Sequence, residues 1–128
     1  LKTICVAVVV APGLAAAAAT YPLTLYVANQ SFDLNPVDIK VTLDGDVVAQ
    51  GIYFAATGRN WRRYDLSLGP GRHVLHAVTR KGAAGLRREF RVGGPRWAAV
   101  AFRFRSPAHG SGTIRYFYFD IRERPYGE

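Results

Sequence analysis

Apolar and polar residues alternate in short runs along most of this chain. The cleanest run is "VDIKVTL", where Val37, Ile39, Val41 and Leu43 fall on one side and Asp38, Lys40 and Thr42 on the other. A period of two is the repeat of a strand with one buried face, because successive side chains point to opposite faces. "LTLYVAN" repeats it with Leu23, Leu25 and Val27. "RRYDLSL" sets Tyr64, Leu66 and Leu68 against Arg63, Asp65 and Ser67. "LRREFRV" turns Phe90 and Val92 inward, with Glu89 and Arg91 outward. "AAVAFRFR" sets Val100, Phe102 and Phe104 against Arg103 and Arg105. "TIRYFYFDI" sets Phe117, Phe119 and Ile121 against Tyr116, Tyr118 and Asp120. In "RHVLHAVT" both parities are partly apolar, so the pattern leaves its inner face open.

Turn signals separate these runs. Asp44-Gly45 fits a tight type I′ hairpin, in which both central residues take positive φ. Gly51 in "VVAQGIYF" is a candidate bulge. In Gly69-Pro70-Gly71 the proline fixes φ and the glycine after it suits a type II corner. Lys81 to Gly85 reads as a loop, Gly93-Gly94-Pro95 as another corner, and "SPAHGSG" as the loop before the last strand. No segment carries the apolar i, i+3, i+4 repeat of a helix, and no internal repeat or linker divides the chain. About eight strands joined by short loops predict an all-β, antiparallel two-sheet β-sandwich.

The N-terminal segment breaks the pattern. Lys2 precedes an apolar run from Ile4 to Val10, then Pro12-Gly13, then an alanine run with several small-residue cleavage sites. That order predicts a signal peptide over residues 1–19 and a sandwich domain over 20–128. The competing reading is a β-branched core strand in "ICVAVVV". The apolar run is too short to span a bilayer core of roughly 30 Å as a helix, so no transmembrane segment is expected once the signal is removed. The chain opens on Leu1 and holds no methionine, which leaves open a non-standard start or a longer basic end. The sole cysteine, Cys5, lies inside the signal-like segment, away from the cleavage point, which argues against a lipid anchor. The remaining domain is thiol-free, so disulfides, thiolate metal sites and cysteine nucleophiles are excluded from it. The expected destination is export, to periplasm, cell surface or medium.

Charge adds a second asymmetry. The chain carries a formal +8. From Arg59 to Arg124, fourteen arginines and one lysine stand against four acids, a net +11. An exported basic protein has acidic partners within reach: polysaccharide, anionic lipid headgroups or cell-wall phosphate, with nucleic acid behind them. The plainer reading is that the arginines are solvated strand faces.

"VTLDGDVV" (Val41 to Val48), "YDLSLGPGRHVLHAVT" (Tyr64 to Thr79) and "REFRV" (Arg88 to Val92) resemble bacterial exported immunoglobulin-like modules. In such modules an Asp-Gly hairpin, a leucine strand, a Pro-Gly corner and a His-x-Leu strand follow one another. The resemblance covers about fifty residues. It implies an immunoglobulin-like sandwich with His73 and Leu75 inward and His76 outward. The paired cysteines of antibody-type domains, and the methionine and histidine clusters of periplasmic copper carriers, are missing here.

Catalytic arrangements find little support. His73 and His76 are three apart on a strand, project to opposite faces and cannot chelate one metal. A metal site would also need His109 and a carboxylate. Ser111, His109 and Asp120 could be drawn as a triad, but no nucleophile elbow accompanies them. The acids are too few for a paired-carboxylate cleft, and Asp44 and Asp46 serve the hairpin. No enzyme activity, metal or cofactor is expected. Binding is the stronger prospect. If Tyr64, Leu66, Leu68, Phe117 and Phe119 face the core, parity puts Trp61, Arg63, Tyr116 and Tyr118 outside. Aromatic rings stack on the apolar faces of sugars, and guanidinium groups bond hydroxyls and carboxylates. The expected function is therefore an exported, non-enzymatic binding or accessory module of the bacterial envelope that recognises glycan or another anionic polymer through Trp61, Arg63, Tyr116 and Tyr118. The alternative is a partner-dependent structural subunit that uses the same face to contact an envelope protein. A third account is that these rings merely cover a sheet face in cross-strand pairs.

Overall fold

A computed structural model describes residues 19–56, 60–105 and 114–127. The proposed signal peptide, apart from Ala19, and the loop carrying His109 and Ser111 lie outside the described residues. The domain is all-β, with β1 (Tyr21–Asn29), β2 (Val37–Leu43), β3 (Asp46–Tyr53), β4 (Arg62–Leu68), β5 (Gly71–Thr79), β6 (Ala84–Val92), β7 (Arg96–Arg105) and β8 (Ile114–Arg122). These form two four-stranded sheets, one ordered β4-β1-β7-β8 and the other β3-β2-β5-β6. No helix among the described residues is long and apolar enough to cross a membrane.

The core is the set of inward parities. Leu23, Leu25, Val27, Leu66, Leu68, Val100, Phe102 and Phe117 come from one sheet; Val37, Ile39, Val41, Leu43, Leu75, Ala77 and Val92 come from the other. Leu75 and Ala77 are buried and His76 is exposed, which fixes the inner face of β5. The two lateral edges close differently. At one, Phe90 of β6 meets Phe119 of β8, ring centroids 6.4 Å apart. At the other, the hydroxyls of Tyr53 and Tyr64 are 2.5 Å apart, and Arg62 lies over the Tyr53 ring while donating to the Ile52 carbonyl. Burial, then the Tyr64 hydroxyl, push the Tyr53 phenol well above the usual tyrosine range.

Three expectations need correction. The sheets are not wholly antiparallel: β1 and β7 pair in parallel, Leu23 opposite Arg96 through Asn29 opposite Phe102. The short Gly93–Pro95 corner cannot carry the chain along the length of the sandwich. Strand β7 must therefore start at the end where β6 finishes, which is also where β1 starts. The bulge falls at Val48 rather than Gly51. Val41 pairs with Ala49 and Thr42 with Val47, so Val48 is the extra residue and the consecutive Val48 and Ala49 are both buried. Gly51 pairs regularly with Ile39; a Cβ there would stand 3.1 Å from the Arg62 guanidinium. Finally, β6 begins at Ala84, earlier than the expected loop allows. The turn before it is held by Asp38, which accepts from the Arg80 and Lys81 backbone N–H groups (both 2.9 Å) and from the Thr79 hydroxyl.

The connections β1–β2, β3–β4 and β5–β6 gather at one end. Asn29, fully buried, donates to the Leu34 and Tyr53 carbonyls and accepts from Ser31 N–H. Asn35 exchanges two hydrogen bonds with Ala55. Asn60 donates to the Asn29 carbonyl at 2.7 Å and to the Phe54 carbonyl at 3.2 Å. Side-chain amides thus replace sheet pairing where the backbone leaves the strands.

Candidate functional site

The outer face of the β4-β1-β7-β8 sheet can be read row by row from its register. Arg63 of β4 lies opposite Tyr26 of β1, followed by Ala99 of β7 and Asp120 of β8. The next row runs from Ala28 to Ala101 to Tyr118. Trp61 stands just before β4, one residue beyond the Arg62–Val27 pair. Arg103 lies opposite Tyr116, and Trp97 opposite Arg122. On the two central strands the small Ala28, Ala99 and Ala101 therefore adjoin the larger Tyr26, Trp97 and Arg103. Ala28 and Ala101 are fully covered, and Ala99 is nearly so.

The result is a groove of about 560 Å³, lined by Trp61, Tyr26, Ala99, Tyr118 and Tyr126 with Arg103 and Arg122. That volume lies within the range of small-ligand sites. Its walls are braced. Arg103 lies over the Tyr118 ring at 4.4 Å and donates to Gln30 at 3.0 Å. Arg122 lies over the Tyr126 ring at 4.2 Å and donates to Asp120 at 3.2 Å. The Tyr126 ring meets Tyr26 edge-on at 5.9 Å, and its hydroxyl donates to the Asp120 carboxylate at 2.9 Å. Burial, then this bond to Asp120, raise the Tyr126 phenol far above its ordinary value, so it remains a donor. No acid among the described residues pairs with Arg103. Asn60 fixes the backbone next to Trp61 through its two carbonyl contacts.

Of the four residues expected to share an outer face, Trp61 and Tyr118 line this groove. Arg63 lies on the same face beside Tyr26, outside the lining, and pairs with Asp65 at 3.0 Å. Tyr116 is the cross-strand neighbour of Arg103, one step beyond the groove. Sequence reasoning missed Tyr26, Arg103, Arg122 and Tyr126 as groove residues. The parity test that picked Tyr116 and Tyr118 also turns Tyr26 and Arg103 outward. Nothing local marks Tyr126, which reaches the groove because the chain folds back after β8.

The histidines stand elsewhere. His73 Nδ1 is 2.5 Å from the Asp44 carboxylate and Nε2 is 2.7 Å from the Gly69 carbonyl. Both ring nitrogens are committed to holding the β2–β3 turn against the Gly69 corner. His76 lies on the opposite sheet, in a shallow depression with Lys40, Thr42, Val78 and Arg87. Among the described residues no three or more His, Cys, Asp or Glu side chains are grouped to hold a metal ion. In comparisons with family models, curated proteins and solved structures, the chain has no match.

Proposed function

We propose that this protein is an exported, non-enzymatic binding or accessory module of the bacterial envelope, and that its outer groove takes a glycan or another anionic ligand. One observation carries the reading: Trp61 and Tyr118 line a groove over Ala99, with Arg103 and Arg122 stacked on tyrosines in the same lining. Flat rings offer stacking surface for a sugar, and the braced guanidinium groups keep hydrogen-bonding edges for hydroxyls or carboxylates. Preorganised side chains lose little entropy on binding.

The strand order supports an immunoglobulin-like type. In variable-type immunoglobulin domains one sheet contains G-F-C-C′ and the other sets B beside E. The orders β6-β5-β2-β3 and β1-β4 correspond to these. Strands β7 and β8 then extend the B–E sheet, and the parallel β1–β7 pair replaces the usual first strand. Export rests on the signal-like residues 1–19.

The test is a glycan and polyanion array probed with the mature protein. Trp61→Ala and Tyr118→Ala should each weaken binding about tenfold, the scale of one lost stacking contact. Absence of binding at low salt, or binding indifferent to both substitutions, refutes the proposal. A second reading, a structural subunit that contacts an envelope protein, draws on Tyr116 and Ile114, exposed on edge strand β8. Pull-down from native envelope with and without Arg63→Ala separates the two.

A further inference from the structure

Among the described residues, the most exposed large apolar side chains are Phe32 (64 %) and Phe54 (61 %). Neither lies on the face that carries the groove. Phe32 sits in the β1–β2 connection and Phe54 directly follows β3, so both lie exposed at the end where these connections gather. Their backbones are tied together. Asn60 bonds the carbonyls of both Phe54 and Asn29, Asn29 accepts from Ser31 N–H, and the Ser31 hydroxyl donates to the Phe104 carbonyl at 3.2 Å. The backbone on either side of the two exposed rings is therefore held in place by side-chain amides and a hydroxyl. Ile52 of β3, two residues before Phe54, is half exposed.

We infer that this end of the sandwich docks onto an anionic lipid surface, with Phe32 and Phe54 entering the headgroup–acyl boundary. Area and charge choose this occupant. An aromatic side chain offers roughly 150–250 Å² at most. Two of them reach about half of the ~800 Å² that each partner of a stable protein interface buries. A second copy or a rigid partner needs a broad complementary face, whereas a fluid bilayer closes around isolated tips. The same end presents Arg80 and Lys81, whose backbone N–H groups Asp38 holds while their side chains stay exposed. Against them stands Asp33, also exposed. Asp38, hydrogen-bonded but ionised, is a second negative charge there, and exposed Lys40, which shares a depression with Arg80 and Lys81, leaves the cations in excess. Each cation near an anionic leaflet adds attraction that the net +8 of the chain reinforces.

The experiment is co-sedimentation of the domain with vesicles of phosphatidylcholine, with and without phosphatidylglycerol. Binding is expected to the anionic vesicles, with little to the neutral ones. A Phe32→Ser/Phe54→Ser double substitution should weaken it at least roughly tenfold, the scale of two partly inserted rings. Asp33→Asn should strengthen it, and Val47→Ser, at an exposed apolar residue beside the β2–β3 turn at the opposite end, should leave it unchanged. Both phenylalanines are exposed, so an unchanged thermal melt will show that the double variant is folded. Phe54→Trp adds a depth readout, since its fluorescence should be quenched by brominated acyl chains beyond the quenching of the parent. No binding to anionic vesicles overturns the proposal. So does binding that the double serine substitution leaves intact, or a stable dimer that the same substitution dissolves.

Discussion

Asp38 shows how one side chain can hold a connection. Partial burial alone would raise its pKa, but the N–H groups of Arg80 and Lys81, with the Thr79 hydroxyl, outweigh that and hold the carboxyl below its ordinary 3.8. The folded value lies below the unfolded one, so the stabilisation is complete above the unfolded pKa and is lost as pH falls through the folded value. Unfolding free energy from urea titrations should therefore decline below about pH 4. Asp38→Asn should lower stability at neutral pH and flatten the acid limb; an unchanged slope would put the acid sensitivity elsewhere. Gly82 guards the same turn from inside. A Cβ there would stand 2.5 Å from the buried Phe102 ring and 2.8 Å from the Thr79 methyl, and Phe102 is fully enclosed by the core. Gly82→Ala should cost about 1–3 kcal/mol through overpacking, read as a lower denaturation midpoint with an unchanged slope.

At the level of elements, turn chemistry and parity make most strands legible before any coordinates. Asp44 and Gly45 both take positive φ, 52° and 91°, as the type I′ reading of the hairpin requires. Gly45→Ala should accordingly destabilise the domain by about 1–2 kcal/mol, the cost of a left-handed alanine, measurable by thermal unfolding. The inward sets on β2, β4, β7 and β8 follow from alternation because each of these strands has one chemically distinct face. Where that distinction fails, the sequence goes silent. In β5 both parities are partly apolar, and only the packed structure picks Leu75 and Ala77. In β1, Thr24 and Ala28 are buried on the outer face as well, so its burial does not follow a strict alternation. The parallel β1–β7 pair was not legible either, because it depends on which end of the sandwich the Gly93–Pro95 corner leaves the chain. The groove was half legible. Outward aromatics can be read from parity, but the groove between them depends on the small Ala99 at its lining and on the return of Tyr126.

On the scale of the whole molecule, the charge asymmetry of the sequence does not become a charge asymmetry in space. The fold sends β4, β7 and β8 to one sheet and β5 and β6 to the other, so the arginine-rich half wraps both outer faces. Arg63, Arg103 and Arg122 stand on one, and Arg72, Arg87 and Arg91 on the other. The acid-rich part is spent partly on structure, Asp38 on a turn and Asp44 on His73 and Val74 N–H. A polyanion at low salt therefore meets a positive surface from almost any direction, and that attraction identifies no site. Salt separates the two contributions. The screening length shrinks from roughly 30 Å at 0.01 M to about 8 Å at 0.15 M, so distant cations stop contributing while a guanidinium in direct contact keeps most of its effect. Arg91→Gln, on the face away from the groove, and Arg103→Gln, inside it, should weaken polyanion binding to a similar degree at about 0.01 M salt. At about 0.15 M only Arg103→Gln should still matter. Titration of both variants across that range by isothermal calorimetry checks this; curves that stay superimposed at high salt would mean that the groove recognises no anion.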